Sequence, residues 1–500
     1  MTLNQLWNDG SAYGKLMIVI GVLVMTPLVI LPFYPTDMMY IADFLIPGGV
    51  SVLLGLIISA RFQMKELTAW KEQLRFNSQV VTFAWLFGIL VGALPFVLAG
   101  QLPFLRAIFE ATSGWTTTGL STMDVTKTPQ IFLFHRSFMQ YAGGLGFVMM
   151  VIVLLRGKHS MSLYDAEGHP DRLRPNIKST VQTIILMYSV LLIVGTGLYM
   201  MVGMPLFDSL NHAMCALSTG GFSTKLLSIG EYNSVSIEMV TALLMLIGTT
   251  NFGVLLLMAQ RQWKRAWRVS EMRFLVVLTI VLVGIAALSL VQGTDMGIVE
   301  SIRQAFFNTV SAFSTSGFAT VDYTTWPSVT FAVIVIAMII GGGIGSTAGG
   351  LKLTRAYLII RIAWMNIKKR FLPKNQVQVE TYYKVQGKQV IDADVVSDTF
   401  GYFGLYLLVY LVGSTIIALD SNVNLSHAFF EFASSLSTVG LSAGVTNPNS
   451  PTITLIVEIV GMILGRLEIY VLLLGVHLTV QQLKRKMFRR NDSSFASIKN

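Results

Sequence analysis

The amino-acid sequence predicts an all-α integral membrane protein, built from four repeats of helix, turn and helix that follow one additional helix pair. Composition indicates the membrane class, because 53% of the 500 residues are hydrophobic and only 12% are charged. Ordinary globular domains carry about twice that share of charge. A glycine-containing pattern that occurs four times indicates the repeats. Repeats are interpreted first, because overlooking them misassigns the whole fold.

The composition also excludes other classes of protein. The single Cys215 rules out an intrachain disulfide framework, and no cysteine and histidine residues are spaced like a zinc site. Residues 16–32 are apolar, but no small-residue cleavage site follows them, so we expect no cleavable signal. No paired acids or nucleophile–base constellation recurs on one predicted face, so we expect no enzyme. A purely structural scaffold would not need four glycine turns.

Ten apolar segments approach the ~20 residues that a helix needs to cross a bilayer. They are 16–34, 42–60, 79–100, 131–155, 179–203, 235–259, 274–292, 328–362, 396–419 and 452–479. The first two form a leading pair, and each later pair encloses one copy of the glycine pattern. The predicted units are therefore the leading pair 1–75 and the repeats 76–178, 179–273, 274–394 and 395–500. The last repeat ends in a basic tail.

Lysine and arginine residues indicate how these segments are oriented. The net charge is +10, and most of the 36 basic residues fall on the face that the two termini share. The opposite face carries only Arg106, Lys127, Arg136, Lys225 and Arg303. Because positively charged loops stay in the cytoplasm, we expect cytoplasmic termini and glycine turns that face outward. The net positive charge is then explained by the topology of the protein in the membrane. We expect membrane lipids but no nucleic acid as partners.

The repeated pattern reads [Ser/Thr]-Thr-x-Gly-[Phe/Leu]-[Ser/Ala]. Its copies are residues 116–121, 218–223, 314–319 and 437–442. Each follows a segment too short to cross a bilayer. These segments are 105–113, 207–217, 301–313 and 425–436. If they are half-helices that enter the outer leaflet and turn back, their C-terminal ends direct a negative dipole inward and favour a cation.

Each repeat crosses the membrane twice, so all four have the same orientation and can surround one axis along the membrane normal. Glycine at each turn opens backbone conformations closed to other residues, which lets successive carbonyl groups face that axis. Rings of carbonyl oxygen that replace a hydration shell are the chemistry of a monovalent cation filter. We therefore predict four parallel helix–pore-loop–helix repeats around a pseudo-fourfold central pore.

With these features the chain resembles the Trk/Ktr/HKT superfamily of potassium and sodium uptake proteins, and within it the bacterial Trk potassium-uptake membrane subunits. The resemblance covers nearly the whole chain, including the leading helix pair and the glycines Gly119, Gly221, Gly317 and Gly440. In that family, glycine at all four positions accompanies potassium selectivity, whereas serine in the first repeat marks many sodium-preferring plant members. The resemblance implies K⁺ as the transported ion, with Rb⁺ also accepted, and no bound cofactor.

The predicted filter consists of each turn glycine and the two residues before it. These residues are Thr117, Thr118, Gly119, Thr219, Gly220, Gly221, Thr315, Ser316, Gly317, Thr438, Val439 and Gly440. They keep only one glycine of the Thr-Val-Gly-Tyr-Gly sequence of tetrameric potassium channels. We therefore expect fewer tightly coordinated ion sites and weaker selectivity.

Each of the polar residues near the turns has two possible roles. Glu110, His212, Asn308 and Glu431 lie nine residues before their glycines. We expect them to anchor the half-helices by hydrogen bonds, with direct ion contact as the alternative. Two aspartates, Asp124 and Asp322, lie just beyond the first and third turns and either concentrate cations at the outer mouth or belong to solvated loops.

A glycine run interrupts the second helix of the third repeat. At about 1 kcal/mol per glycine relative to alanine, six glycines within positions 341–350 should break a helix. Close helix packing is the alternative, and Leu351 spoils the phosphate-loop pattern. The resemblance implies an intramembrane gating loop here. The predicted gate residues are Gly341, Gly342, Gly343, Gly345, Gly349, Gly350, Lys352 and Arg466.

Arg466 is a charged residue inside the last apolar segment. An arginine in the membrane interior costs several kcal/mol unless it is paired or hydrated, so it indicates a functional role. An ion pair with Glu468, Glu458 or Glu431 is the structural alternative. The resemblance implies an arginine that projects into the ion path below the filter, where it opposes K⁺ and hydrogen-bonds the glycine loop. Replacement by alanine should then increase conduction.

Two loops on the predicted cytoplasmic face suggest regulation by a partner. Residues 156–178 are polar and basic, and the alternation in 376–380, with Gly387 in a second such stretch, predicts a short hairpin. No dinucleotide-binding glycine pattern follows a soluble strand in this chain. The resemblance implies a homodimer and a peripheral cytoplasmic nucleotide-binding regulatory subunit.

These observations together predict potassium uptake across a bacterial cytoplasmic membrane by a multi-pass protein. Membrane potential would drive K⁺ inward, at about 2.3 kcal/mol per charge per 100 mV. The alternative is a K⁺/H⁺ or K⁺/Na⁺ symporter that uses the same path. Because the filter contains no acid, Glu110 or Glu431 would have to serve as the coupling site.

Overall fold

The computed structural model describes residues 11–61, 70–146, 177–371, 373, 379–467, 469–470, 472–478 and 481. Residues 156–176 of the predicted basic loop and the basic C-terminal tail lie outside this part of the chain. The described residues are helical except for turns, short loops and one small hairpin.

A leading helix pair precedes the repeats. It consists of α1 (Ala12–Met25), continued by 3₁₀ turns over Thr26–Phe33 and Pro35–Tyr40, and α2 (Ile41–Arg61). Small residues let the two helices pack closely, since a Cβ on Gly14 would overlap the carbonyl oxygen of Gly55. Ser51 donates a hydrogen bond to the carbonyl of Met17 at 2.8 Å. Close backbone approach of this kind drives helix association in lipid, where the hydrophobic effect is absent.

The same order of elements then occurs four times: an entry helix, a half-helix, a turn and an exit helix. The first repeat comprises α3 (Trp70–Leu98), α4 (Phe104–Trp115) and α5 (Gln130–Leu145). The second comprises α6 (Ile177–Met201), α7 (Leu206–Leu217), α8 (Val235–Thr249), α9 (Phe252–Ala259) and α10 (Trp263–Arg268). The third comprises α11 (Ser270–Gly293), α12 (Ile298–Phe313), α13 (Ser328–Ile340) and α14 (Leu353–Lys369). The fourth comprises α15 (Ala393–Ser421), α16 (Leu425–Leu436) and α17 (Thr452–Arg466).

The half-helices α4, α7, α12 and α16 lie where the sequence places them. Three of them have 12 residues, and α12 has 16, because its first turn begins at Ile298 and not at the predicted Ser301. Proline or glycine precedes the first residue of α4, α7 and α12, which limits extension of each helix toward its N-terminus. Each half-helix is too short to cross a bilayer.

Two exit helices are interrupted. α8 and α9 meet at 109°, so the predicted crossing over 235–259 is not one straight helix. Asn251 explains the break, because its side chain accepts a hydrogen bond from the amide of Gly253 at 2.6 Å and so starts α9 in a new direction. In the third repeat α13 ends at Ile340 and α14 begins at Leu353, as the glycine run predicts.

Among the described residues, six helices are long and apolar enough to cross a membrane, or seven if α8 and α9 form one broken span. The sequence predicts ten crossings, and the difference lies in the exit helices. α13 has 13 residues and α17 has 15. The predicted segment 131–155 continues beyond residue 146, outside the described part of the chain.

Two large hydrophobic cores hold the described residues together. One joins the leading pair to the first two repeats, and the other joins the third and fourth repeats. Phe307, Val310 and Phe318 of the third repeat contribute to the first core, so the two cores meet near the turns. The two residues before each turn glycine are buried, so this non-helical backbone does not face lipid.

A short antiparallel hairpin follows α14. Its strands are β1 (Thr381–Lys384) and β2 (Gly387–Val390), with Thr381 opposite Val390. The predicted hairpin is therefore present, but its first strand begins after the stretch 376–380 that predicted it. Tyr382 packs against Ile362 and Met365 of α14 in a small separate core.

Candidate cation site and its closing loop

The four turns share an alternating backbone conformation. The turn glycines have φ of 99°, 75°, 75° and 96°, in the left-handed region that favours glycine. The threonines two residues earlier, Thr117, Thr219, Thr315 and Thr438, also have positive φ, of 56°, 53°, 55° and 54°. The sequence predicted the first of these features and not the second. Four identical outliers in a β-branched residue indicate a backbone held by its surroundings.

The turns form a closed ring. A Cβ added to each glycine would overlap the carbonyl oxygen of the residue before the glycine in the next repeat. The neighbouring pairs are Gly119 with Gly220, Gly221 with Ser316, Gly317 with Val439, and Gly440 with Thr118. Each repeat thus contacts the next, and the fourth contacts the first. No side chain larger than hydrogen fits at any of the four positions without displacing the adjacent turn.

Amide groups of the turns are bonded to their own half-helices. The third residue of each pattern donates to the carbonyl five residues earlier, at 2.8 to 3.0 Å. The donors are Thr118, Gly220, Ser316 and Val439. In the first and fourth repeats the glycine amide donates to a serine hydroxyl, Ser113 or Ser434, at 2.9 Å. Because the N–H groups are used in this way, carbonyl oxygens are left as the ligands that the ring can offer a cation.

The four equivalent half-helix residues anchor the chain that leaves each turn. Ser121 donates to Glu110 at 2.9 Å, and Ser442 donates to Glu431 at 2.7 Å. His212 Nε2 lies 2.9 Å from Ser223 Oγ. In the third repeat the amide of Asn308 donates to Thr320 at 2.8 Å. These hydrogen bonds agree with the predicted anchoring role.

Arg136 makes a buried ion pair that the sequence did not reveal. Its Nε donates to Glu110 at 2.6 Å, and the two side chains are 2% and 0% exposed. The guanidinium also lies 4.0 Å from the ring centroid of Phe222 in the next repeat. Loss of one member of a buried pair leaves an uncompensated charge and costs about 3–5 kcal/mol. Sequence reasoning counted Arg136 only as a basic residue of a loop face.

A cavity of about 580 Å³ lies on the glycine side of the ring. It is lined by the four turn glycines and by residues that follow them, including Ser121, Ser223, Ser442 and Asp124. Hydrogen bonds from the hydroxyl and amide of Thr126, and the charge of Lys127, lower the pKa of Asp124. Asp322 is not among the described residues that line this cavity. The same two roles were predicted for both aspartates, but Asp124 lines the cavity and Asp322 does not.

The opposite side of the ring presents the four left-handed threonines, and the segment 341–352 lies against them. We call this segment the closing loop. The amide of Gly349 donates to Thr315 Oγ1 at 2.8 Å, and Thr219 Oγ1 lies 3.2 Å from Thr347 Oγ1. A Cβ on Gly349 would overlap Thr438 Oγ1. The loop thus contacts three of the four repeats directly.

Arg466 makes the corresponding contact at the first repeat. Its Nη1 donates to the carbonyl of Thr347 at 2.6 Å and lies 3.3 Å from Thr117 Oγ1. Its Nη2 donates to the carbonyl of Gly143 at 2.6 Å, near the end of α5. Carbonyls in the last turn of a helix suit a cation, because they lie at the negative end of the helix dipole. Glu468, one of the predicted ion-pair partners, lies outside the described residues.

Glycines let the closing loop fold back on its own ends. Gly341, Gly345 and Gly350 have positive φ, and a Cβ on Gly341 would overlap the carbonyl oxygen of Gly349. The amide of Leu353 donates to the carbonyl of Gly342 at 2.8 Å. Lys352 also has positive φ and donates from Nζ to the carbonyl of Ala348. α13 and α14 therefore meet at a narrow neck from which the loop projects.

Two further side chains hold the tip of the closing loop, and no pattern in the sequence predicts either contact. Glu271 of α11 accepts from the amide of Ile344 at 2.8 Å. Asn251, at the bend between α8 and α9, donates to the carbonyl of Ile344 at 2.5 Å. Next to Glu271, Ser270 Oγ accepts from the amide of Tyr383 in β1 at 3.0 Å. The hairpin, α11 and the loop tip thus form one connected group.

Similarity to known proteins gives this geometry its context. Residues 51–484 match the TrkH family of cation transport proteins. Over 408 residues the chain is 31% identical to the Trk system potassium uptake protein TrkH of Escherichia coli (strain K12), and the match covers 79% of this chain and 83% of that protein. The chain belongs to the TrkH family.

Other TrkH family members are similar over most of their length. The Trk system potassium uptake protein TrkH of Halomonas elongata is 28% identical over 473 residues, which cover 91% of this chain and 95% of that protein. The crystal structure of the potassium transporter TrkH from Vibrio parahaemolyticus matches with a TM-score of 0.80 at 27% identity. That match covers 92% of this chain and 96% of the other.

Membership of the TrkH family confirms the predicted family, the all-α membrane fold and the prediction of a transporter, not an enzyme. The named Trk relatives are potassium uptake proteins. Which residues select and gate the ion in this chain is a separate question, and the ring of turns and its closing loop bear on it.

Proposed function

We propose that this TrkH family member takes up K⁺ through the ring of four turns. The closed ring is the observation that supports this function: four turns meet in one ring, with the amide of each third pattern residue bonded to its half-helix. Of the carbonyls of the ring, that of Gly220 accepts a described side-chain hydrogen bond, and the others are available to a cation. The ion-binding residues would be 117–119, 219–221, 315–317 and 438–440. Half-helix C-termini directed at the ring add a negative potential that favours a cation.

The distribution of basic residues supports an orientation for this path. With the termini in the cytoplasm, the cavity beside Asp124 opens outward, and the closing loop lies on the cytoplasmic side of the filter. K⁺ would enter from the cavity, lose its hydration shell in the ring and pass inward along the membrane potential. The protein would be a multi-pass protein of a bacterial cytoplasmic membrane.

In the conformation described here, the path is proposed to be closed. The loop and Arg466 together contact the threonine of every repeat on the far side of the ring from the cavity. A fixed positive charge below the filter also raises the barrier to K⁺. Opening requires the loop to leave the threonines and Arg466 to release the carbonyl of Thr347.

Ion flux into proteoliposomes that contain only this purified chain tests the filter. K⁺ and Rb⁺ should enter well above Na⁺ and Li⁺, and Gly119→Ser should relax this selectivity. Gly203→Ser is the matched control, because Gly203 has a similar φ of 93° but nothing lies within 4 Å of an added Cβ. Equal selectivity loss in both variants would contradict a specific role for the ring.

Arg466→Ala in the same liposomes tests the gate. The variant should conduct faster than wild type, because both the charge and the hydrogen bonds that hold the loop are removed. If wild type shows no flux, flux through Arg466→Ala indicates that the wild-type pore is closed. Absence of flux from both proteins would contradict the conduction proposal.

Contacts of the buried acids argue against the symport alternative. Glu110 is paired with Arg136, and Glu431 accepts hydrogen bonds from Ser442, Ala443 and Thr446. Neither is among the described residues that line the cavity. Flux that stays constant while a proton gradient is imposed would agree with a channel-like path.

Regulation is proposed to come from a separate subunit. As the family resemblance implies, we propose a homodimer of this chain with a peripheral cytoplasmic nucleotide-binding protein. The hairpin joined to α11 is a surface through which such a subunit could act on the closing loop.

A further inference from the structure

One turn differs from the other three at its third position. Thr118, Ser316 and Val439 occupy this position in the first, third and fourth repeats, whereas the second has Gly220. The backbone does not require glycine there, because Gly220 is not among the residues with positive φ. Its missing side chain therefore needs another explanation.

Gln140 fills the space that a side chain at position 220 would occupy. The three atoms nearest to a Cβ on Gly220 would lie at 2.4 to 2.8 Å, and all three belong to the amide group of Gln140. Gln140 lies on α5 of the first repeat, 80 residues away, and is completely buried. A side chain of the first repeat thus occupies the space beside the turn of the second repeat.

Both ends of this amide bind the turn of the second repeat. Gln140 Nε2 donates to the carbonyl oxygen of Gly220 at 2.6 Å. Gln140 Oε1 accepts from the amide of Phe222 at 3.0 Å. The two contacts flank Gly221, so the amide fixes the backbone on either side of a proposed filter glycine.

The first and third repeats support their turns with hydroxyl pairs of their own. Thr116 and Thr118 are joined at 2.8 Å, and Ser314 donates to Ser316 at 2.9 Å. These pairs lie within one turn and leave the third-position carbonyl without a described side-chain donor. In the second repeat that carbonyl already accepts a strong hydrogen bond. It is therefore a weaker ligand for an ion than its three counterparts.

We propose that Gln140 is a specificity-determining positioning residue of the ion path. Its two hydrogen bonds fix the backbone position of the second turn, and one of them occupies a carbonyl oxygen of the ring. Because Gly220 O lies against Gly119, a shift in the second turn is transmitted to the first repeat. The inference rests on the proposed conduction through the ring and names a residue that controls its selectivity.

Gln140→Ala tests this inference through the ratio of K⁺ to Na⁺ flux in proteoliposomes. The ratio should fall about three- to tenfold, the factor that corresponds to one buried hydrogen bond. A flux ratio does not depend on how much protein is active, so partial loss of folded protein does not imitate the effect. Ser137→Ala is the matched control, because Ser137 is buried on the same helix and donates within it, to Leu133. Its described contact with the second repeat is to the Cys215 side chain of α7 and not to the turn.

The double variant Gln140→Ala with Gly220→Ser is the decisive measurement. A serine at position 220 can pair with Ser218 as Ser316 does with Ser314, and Gln140→Ala removes the three atoms that lie nearest to its Cβ. The double variant should recover most of the selectivity, whereas Gly220→Ser alone should disturb the turn. Gln140→Met, which keeps the volume and loses the hydrogen bonds, gives the same test if Gln140→Ala does not fold.

Outcomes separate this inference from the proposed function. Absence of flux from wild type and from Arg466→Ala would contradict conduction itself. Flux with an unchanged K⁺ to Na⁺ ratio in Gln140→Ala and Gln140→Met would overturn the role of Gln140 alone. A reduced ratio that the double variant fails to recover would also overturn it, because positioning of the turn would not be the cause.

Discussion

At the residue scale, the left-handed threonines are the most unusual feature of the ring. A non-glycine residue in this conformation costs on the order of 1–3 kcal/mol, and such strain persists only where the surroundings determine it. Here the amide after each threonine is held by the half-helix, for example Thr118 by Ser113 at 2.9 Å. The strained backbone places the hydroxyls of Thr219, Thr315 and Thr438 beside the closing loop, and that of Thr117 beside Arg466.

Thr315 and Thr438 offer a matched pair for testing the contact with the loop. Thr315 Oγ1 accepts from the amide of Gly349 at 2.8 Å, whereas Thr438 Oγ1 has no hydrogen-bond partner within the described residues. Valine keeps the branched shape of both. We expect Thr315→Val to raise basal K⁺ flux about three- to tenfold, because the closed loop loses one hydrogen bond. Thr438→Val should change it little, and equal effects would contradict the proposed contact.

Asp124 and Asp322 form a second matched pair, this time for pH. Hydrogen bonds from Thr126 and from Thr324 lower the pKa of the respective carboxylates. A lowered pKa means that the charge is present above it and is lost only as pH falls through it. Between about pH 5 and 8 both therefore stay ionised, but only Asp124 lines the cavity.

Asp124→Asn should raise the half-saturating K⁺ concentration about twofold at low ionic strength, because a carboxylate at the cavity concentrates cations. Asp322→Asn should have no such effect. The difference between wild type and Asp124→Asn should stay constant down to about pH 5 and vanish in added salt. Kinetics of K⁺ uptake at varied pH and salt check this, and an effect that disappears near neutral pH would contradict it.

At the element scale, interruptions determine how the helices act. Hydrophobic length and short apolar segments predicted the half-helices to within a few residues, and the glycine run predicted the break between α13 and α14. The bend between α8 and α9 was not predicted, because the segment 235–259 is mostly apolar and its few polar residues do not mark a break. Asn251 makes the bend, and its amide then reaches the carbonyl of Ile344.

Glu271 is expected to act as a latch on the closing loop. Its carboxylate accepts from the amide of Ile344 at 2.8 Å and from Thr354 at 3.2 Å. Removing a charge-assisted hydrogen bond that holds the loop in the proposed closed state should raise the open fraction about tenfold. Glu271→Ala should therefore increase basal K⁺ flux with unchanged ion selectivity.

Glu231→Ala is the control for this change, because Glu231 lies in a 3₁₀ turn far from the loop and accepts from the amide of Leu227. Flux through Glu271→Ala that equals flux through the control would show that the latch does not hold the gate. A loss of selectivity would indicate damage to the filter instead.

At the scale of the whole molecule, two cores join around one ring. The first core includes the leading pair and two repeats, the second core includes the other two, and Phe307, Val310 and Phe318 connect them. All four repeats contact one another at the turns, since each turn glycine lies against a carbonyl of the next repeat. A small shift of one repeat therefore alters the ring as a whole.

Orientation of the chain in the membrane is open to a direct test. Cys215 is the one cysteine of the sequence and is buried, so engineered cysteines report without a background. A membrane-impermeant maleimide should label Asn449→Cys in intact cells and Arg370→Cys only after permeabilisation, since both sites are exposed. The reverse pattern would invert the proposed topology.

The sequence alone determined the membrane class, the four turns, the half-helices and the broken helix, because each depends on local composition and spacing. Gly119 and its three counterparts were visible for the same reason. Tertiary structure decided the rest: the ring closed by neighbouring turns, the Glu110–Arg136 pair, and the contacts of Gln140 and Glu271. These contacts join residues of different helices, often far apart in the chain. Because their strength comes from burial and geometry, no local pattern in the sequence records them.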